Sequence, residues 1–276
     1  MSHATIKQPP ENLTRKQRRE QGRVQRKAAE AAASARALRR TRLTRLGIVL
    51  SLVLAGLVVV LISSAGAGTV TKVAPEGPEA RAVRSEVSTL LAGLPQSGNL
   101  LGQPTAPVTL TYFGDLECPV CRSFTVEALP SIIQHWVRAG KLRIAYDSLE
   151  TATREPEVFK VQQVAALAAG RQNKLWNFIE TFYHEQQEED SGYVTESYIR
   201  GIAGQVPGLN LGRWNVDRSD APLAEKLTGD AQTANSYALN GTPGFLIGRS
   251  GGSSTKLEPS AYNEPGPFAE AIEKQL

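Results

Sequence analysis

The only two cysteines of the 276-residue chain stand three apart, as Cys118-Pro119-Val120-Cys121. Two thiols at that spacing can bond to each other where the segment begins a helix, and can then pass the bond to other thiols. Cys118, at the helix start, faces amides with no partner inside the helix, and their partial positive charge favours thiolate over thiol. Cys118 is therefore the expected nucleophile. Cys121, one turn further in, is expected to be shielded and placed to attack a mixed disulfide from within. Pro119 suits the first helical turn because it needs no amide partner. A zinc site would need two more ligands, but there is no second cysteine pair, and His135 and His184 lack the paired spacing; no metal is expected. An inert structural disulfide is the other reading, although closing so short a loop stabilises less than closing a long one.

A second element is Thr242-Pro243, within Gly241-Thr-Pro-Gly244 and ahead of the apolar run Phe245-Leu-Ile247. Proline makes a cis peptide accessible, and a cis bond at the entry to a strand would turn the backbone of Thr242 outward. Beside Cys118, that backbone could pair with an extended substrate segment. Taken alone, the tetrapeptide reads as an ordinary turn. Asp115 and Glu117 are close to Cys118 in sequence and would raise its pKa if they faced it. The blander expectation is that both face solvent.

These residues need a scaffold. Val108-Thr-Leu-Thr-Tyr-Phe113 alternates as a strand does, Gly114 to Glu117 is a tight connection, and apolar positions from Pro119 to about Arg138 recur at helical spacing, with Pro130 expected to kink the run. Leu142-Arg-Ile-Ala-Tyr146 is a second strand, which completes a βαβ unit. Residues 155 to 239 read as several short helices, broken near Gly170, Gly192, Pro207-Gly208 and Pro222. The run at 245–247, an edge strand near Leu257 and a last helix from Pro267 to Gln275 complete the chain. Upstream, a helical pattern covers Glu79 to Leu94, and Pro95 to Ala106 reads as a turn-rich connection. Trp136, Trp176 and Trp214 are expected to pack in the core or between domains, and residues 185–190 to form a solvated helix end.

Between Arg45 and Thr69 the chain carries no charge, and Leu46 to Ala67 as a helix would span roughly 33 Å, enough to cross a hydrocarbon core of about 30 Å. Arg36, Arg39, Arg40, Arg42 and Arg45 crowd the N-terminal flank, so the positive-inside rule leaves the N-terminus cytoplasmic and exports the segment from Thr69 onward. A cleaved signal peptide is the rival reading, and it exports the same segment. Residues 1–45 hold 13 of the 31 Lys and Arg against three acids, a net of +10, and the rest carries 18 basic and 24 acidic residues, a net of −6. The exported part is acidic, which argues against a nucleic-acid partner. The organisation expected is a basic cytoplasmic tail at 1–45, a transmembrane helix at 46–67, a stem at 68–98 and one domain at 99–276.

Gly114-Asp-Leu-Glu-Cys-Pro-Val-Cys121, the Ala-rich helix leading to Lys174-Leu-Trp-Asn-Phe178, and Asn240-Gly-Thr-Pro-Gly-Phe-Leu-Ile-Gly248 resemble a membrane-anchored DsbA-like thiol:disulfide oxidoreductase of the thioredoxin superfamily. The resemblance runs from about Leu100 to the C-terminus. It implies an α/β thioredoxin-like fold with an all-helical insertion at about 155–235, Cys118 and Cys121 as the redox pair, Pro243 as a cis-proline, and no cofactor. The implied partners are reduced exported proteins, a membrane quinone-linked thiol oxidase that recycles the domain, and the lipid bilayer. Two departures bear on redox potential: Val120 stands where strongly oxidising relatives have His, and Tyr112 where relatives often carry a buried Glu. A reductant or isomerase of the same fold, or a redox-inactive peptide-binding module, are the alternatives.

Overall fold

The computed structural model describes residues 76–276, so the expected tail at 1–45 and the expected membrane segment at 46–67 lie outside the described residues. Among the described residues no helix is long and apolar enough to cross a membrane. Helix α1 (Pro78–Leu91) leads into a two-residue hairpin, β1 (Gln96–Ser97) and β2 (Leu100–Leu101), then β3 (Val108–Gly114). The hairpin corrects the reading of 95–106 as connection only. Strands of two residues carry no alternation to read, and only pairing reveals them.

β3 is parallel to β4 (Leu142–Ser148) in strict register, Val108 opposite Leu142 and Gly114 opposite Ser148. On its other side β3 runs antiparallel to β5 (Gly244–Arg249), which pairs with β6 (Ser254–Leu257). The sheet order is β1-β2-β4-β3-β5-β6. Alternation sets the faces: Val108, Leu110 and Tyr112 join Ile144, Tyr146, Phe245 and Ile247 in one buried cluster, while Phe113 and Leu246 meet Leu149, Ala234 and Leu239 in a smaller one.

The βαβ crossover is one helical run with changing pitch: α2 (Pro119–Ser123), a π-helical turn (Phe124–Ala128), α3 (Leu129–Ile132) and a second π turn (Ile133–Val137). The expected disturbance at Pro130 takes this form. Pro130 has no amide to donate, and just before it the Leu129 N–H reaches the Phe124 carbonyl, five residues back. Phe124 packs against Tyr112, Phe245 and Phe268, with ring centroids 4.7–5.0 Å apart, and pins the run to the sheet.

Between β4 and β5 lie the inserted helices α4 (Pro156–Gly170), α5 (Leu175–His184), α6 (Glu196–Gln205), α7 (Leu211–Asp217) and α8 (Ala221–Ser236); α9 (Gly266–Glu273) closes the chain. The expected breaks fall at helix ends, except that Pro222 opens α8 instead of interrupting it. Trp176 and Trp214 are buried and donate to the carbonyls of Asn99 and Ala165, and Trp136 is half-buried. The insertion is tied to the sheet by Lys226, whose ammonium bridges Asp147 and Asp230 while Asp230 accepts from the Ser148 amide and hydroxyl.

Candidate active site

β3 ends at Gly114, and the connection to α2 delivers Cys118 to the helix N-cap, where Pro119 occupies the first turn. Cys118 is 5% exposed and Cys121 fully buried; both are free thiols. The Cys121 amide lies 3.4 Å from Cys118 Sγ and donates to it. Across the sheet, β5 is entered through Thr242-Pro243, whose peptide bond is cis, and the Cys118 thiol donates to the Thr242 carbonyl at 3.3 Å. Residues 124 positions apart thus meet at one sulfur. Val120 is exposed beside it, and its side chain offers no hydrogen bond.

The two thiols are held in opposite conditions. Cys118 is drawn down to about 6, first by a hydrogen bond from the Cys121 thiol, then, against its own burial, by the Thr242 side chain and the amides of Cys121 and Val120. Cys121 is pushed well above the ordinary thiol range by burial, and the neighbouring Cys118 adds to this. Tyr112, Tyr146 and Tyr183 surround it, all fully buried. The Tyr112 hydroxyl donates to Tyr183 at 3.1 Å, Tyr183 donates to the Asp115 carbonyl at 3.1 Å, and Tyr146 donates to Gln163.

Asp115 and Glu117 do not face solvent as the blander expectation had it. Asp115 is fully buried because backbone donors wait for its carboxylate: Oδ2 accepts the amides of Thr151, Ala152 and Thr153 at 2.9–3.1 Å, and Oδ1 accepts the Glu117 amide and the Thr153 hydroxyl. Glu117 is 3% exposed, and burial pushes its carboxyl up to about 7. Neither carboxylate is among the groups that shift Cys118. Nor is the 185–190 segment simply solvated, since Glu185 is buried and accepts from Gln205 at 2.9 Å.

Sequence reasoning passed over three residues of this neighbourhood. Gln186 donates from Nε2 to the carbonyls of Leu116 and Cys118 at 2.7 and 3.1 Å, Tyr183 reaches the Asp115 carbonyl, and Thr151 shares a 2.5 Å hydrogen bond with the Thr242 hydroxyl. None belongs to a motif, and each is found only through its partner. Among the described residues no three His, Cys, Asp or Glu side chains gather as a metal site.

A family model described as Thioredoxin matches residues 96–256, from the first strand into the last. The chain belongs to the thioredoxin family. Over 154 residues it is 25% identical to a "Probable disulfide bond formation protein D" of Bacillus anthracis, covering 53% of this chain and 68% of that one. Among solved structures, oxidised BdbD from Bacillus subtilis superposes with a TM-score of 0.55 at 18% identity, over 67% of this chain and 97% of that one. Alpha-DsbA1 from Wolbachia pipientis gives 0.51 at 21% identity, over 67% and 92%. Those two share the fold, including the helical insertion. This member of the thioredoxin family, with a thiol pair at the start of the crossover helix, is a thiol:disulfide oxidoreductase.

Proposed function

We propose that the chain is a membrane-tethered, extracytoplasmic thiol oxidant that donates a Cys118–Cys121 disulfide to reduced exported proteins. The observation that carries this is the Cys118 sulfur: depressed to about 6, 3.3 Å from the Thr242 carbonyl, and backed by a sealed Cys121. A substrate thiolate attacks Cys118 Sγ, and the sulfur–sulfur bond breaks. Its electron pair passes to Cys121 Sγ, which takes up a proton, while the substrate is held through a mixed disulfide. A second substrate thiolate then attacks the substrate sulfur and expels Cys118 as thiolate. The substrate is oxidised by two electrons and the domain is left as a dithiol. Stabilising that leaving thiolate stabilises the reduced domain, which makes its disulfide the more oxidising. The backbone of Thr242, ahead of Pro243, holds the substrate segment.

Among the described residues nothing can pass electrons to a quinone, so a quinone-linked membrane thiol oxidase is the recycling partner. In this reading residues 1–45 are a cytoplasmic tail, 46–67 the transmembrane helix, 68–98 the stem and 99–276 the catalytic domain. The name carried by the Bacillus anthracis relative supports the oxidising direction.

Purified protein equilibrated with glutathione buffers tests the direction. A potential between about −120 and −200 mV is expected, and one near thioredoxin's roughly −270 mV overturns the oxidant reading. Cys118→Ser is expected to remove exchange altogether. In Cys121→Ser, Cys118 thiolate can attack the disulfide of an oxidised protein and has no resolving thiol behind it, so mixed disulfides that reductant releases should accumulate; wild-type protein that exchanges no faster than Cys118→Ser leaves only a redox-inactive binding module.

A further inference from the structure

We propose that Gln186 is a positioning residue for the reactive sulfur: its side-chain amide holds the carbonyls of Leu116 and Cys118, and so keeps Cys118 Sγ over the Cys121 amide. The proposal rests on Cys118 being the reactive thiol of the proposed function.

Gln186 lies in the insertion, two residues beyond the end of α5, and reaches the cysteine turn across 68 to 70 residues of sequence. Its Nε2 donates to the Leu116 carbonyl at 2.7 Å and to the Cys118 carbonyl at 3.1 Å. A primary amide nitrogen carries two protons, and both are used here. The same two contacts fix which way the amide points, because a carbonyl oxygen is answered only by a donor. Among the described residues no backbone amide outside the helices and strands binds the Leu116 carbonyl, so Gln186 is not duplicating a backbone tie.

The hold reaches the sulfur through the backbone. Cys118 is the N-cap of α2, at φ −71° and ψ 119°, and those angles bring Sγ to the Cys121 amide. Three successive peptide groups set that conformation, and each is held. Gln186 takes the Leu116 carbonyl, and the Cys118 amide donates to the Asp115 carbonyl at 3.0 Å. The Cys118 carbonyl accepts the Arg122 amide at 3.1 Å as the helix begins, and Gln186 fills its other lone pair. A turn fixed in this way leaves the Cys118 side chain one direction, in which Sγ also meets the Thr242 carbonyl at 3.3 Å. Tyr183 supports the start of the turn from the same end of α5: its hydroxyl donates to the Asp115 carbonyl, and its carbonyl accepts from Arg122 Nε at 3.1 Å. The titratable or charged groups on the segments that meet here are Asp115, Glu117, Cys121 and Arg122 on one side and His184 and Glu185 on the other. Gln186 is uncharged, so removing its donors alters the geometry at the sulfur without altering any charge.

The test follows Cys118 alkylation by iodoacetamide against pH in the reduced full chain, together with the chain's equilibrium with glutathione. In Gln186→Met, which keeps the length and loses both donors, the alkylation midpoint should rise by about half a unit to one unit, the worth of one hydrogen bond. At about pH 8 the equilibrium should shift toward the disulfide by a matching factor of about three to ten, because a less stabilised thiolate makes a weaker oxidant. Gln186→Glu should move both readouts at least as far, since its carboxylate would face two carbonyl oxygens. Gln186 is half-buried, so these variants should keep the wild-type circular dichroism spectrum. A tie that only braced the fold would lower the urea midpoint of both redox forms equally and leave the two readouts in place. Readouts unmoved by Gln186→Met, or moved by Gln186→Glu alone, overturn the assignment while leaving the oxidant reading intact. A wild-type Cys118 that titrates near an ordinary thiol's roughly 8.5 overturns both.

Discussion

Cys118 and Cys121 carry the same side chain on one turn of helix, yet hydrogen bonding draws one thiol down and burial drives the other up. The depressed group fixes a dependence of stability on pH. In the unfolded chain Cys118 ionises near about 8.5, in the folded dithiol near about 6, so between those values the folded state binds fewer protons. The reduced protein therefore gains stability as pH rises from 6 toward 8.5, and loses it again as pH falls through 6. The oxidised protein has no thiol to titrate. Glu117, raised to about 7, contributes with the opposite sign, but it is present in both redox forms and cancels in their difference. Urea unfolding of both forms at about pH 5 and about pH 8.5 should show the reduced form gaining about 1–3 kcal/mol relative to the oxidised form at the higher pH. A constant gap would mean that the folded structure does not depress Cys118. The sequence told of the cysteines and the Thr-Pro pair because their chemistry and spacing are local. It misjudged Asp115 because the amides that make burial of a carboxylate tolerable lie 36 to 38 residues away.

At the scale of elements, β3, β4, the crossover helix and the helical insertion were legible wherever alternation or 3.6-residue periodicity ran for several residues. The β1–β2 hairpin and the π turns were not, since pairing and pitch depend on partners that periodicity does not encode. The join between β3 and the cysteine turn shows how tightly these elements are fitted. A Cβ on Gly114 would lie 2.7 Å from Tyr146 Cε2 and 2.9 Å from the Tyr183 hydroxyl. Both rings are fully buried; Tyr146 packs against Tyr112 and Trp176, and the Tyr183 hydroxyl is held by Tyr112 and the Asp115 carbonyl, so neither has room to retreat. Gly114→Ala should therefore cost about 1–3 kcal/mol in urea unfolding, a typical overpacking penalty. Because Tyr183 also donates to the Asp115 carbonyl, the variant should slow Cys118 exchange as well as weaken the fold. Undiminished stability would mean that the tyrosines can move, and that the floor under Cys121 is looser than their packing indicates.

For the whole chain, charge and cysteine content together make its proposed orientation measurable. The basic 1–45 segment and the acidic remainder differ in sign, and the five arginines from Arg36 to Arg45 sit on one side of the apolar stretch, the arrangement that retains an N-terminus in the cytoplasm. Both cysteines lie in the segment proposed to be exported, and of the two only Cys118 combines an opening to solvent with a depressed pKa. A membrane-impermeant maleimide at neutral pH therefore reports a single site, because attack requires a thiolate and Cys121 is buried and held as a thiol. On cells expressing the full chain, after a pulse of an impermeant phosphine reductant, labelling should reach the level seen in lysed cells and vanish in Cys118→Ser. An epitope tag ahead of Met1 should resist external protease in the same cells. Replacing the five flanking arginines with glutamate should lower external labelling without changing labelling in lysates, since the positive flank sets orientation and the folded domain sets reactivity. Labelling of Cys118 that requires lysis in the unaltered chain would place the domain on the cytoplasmic side, where a standing reductant pool opposes an oxidant's turnover.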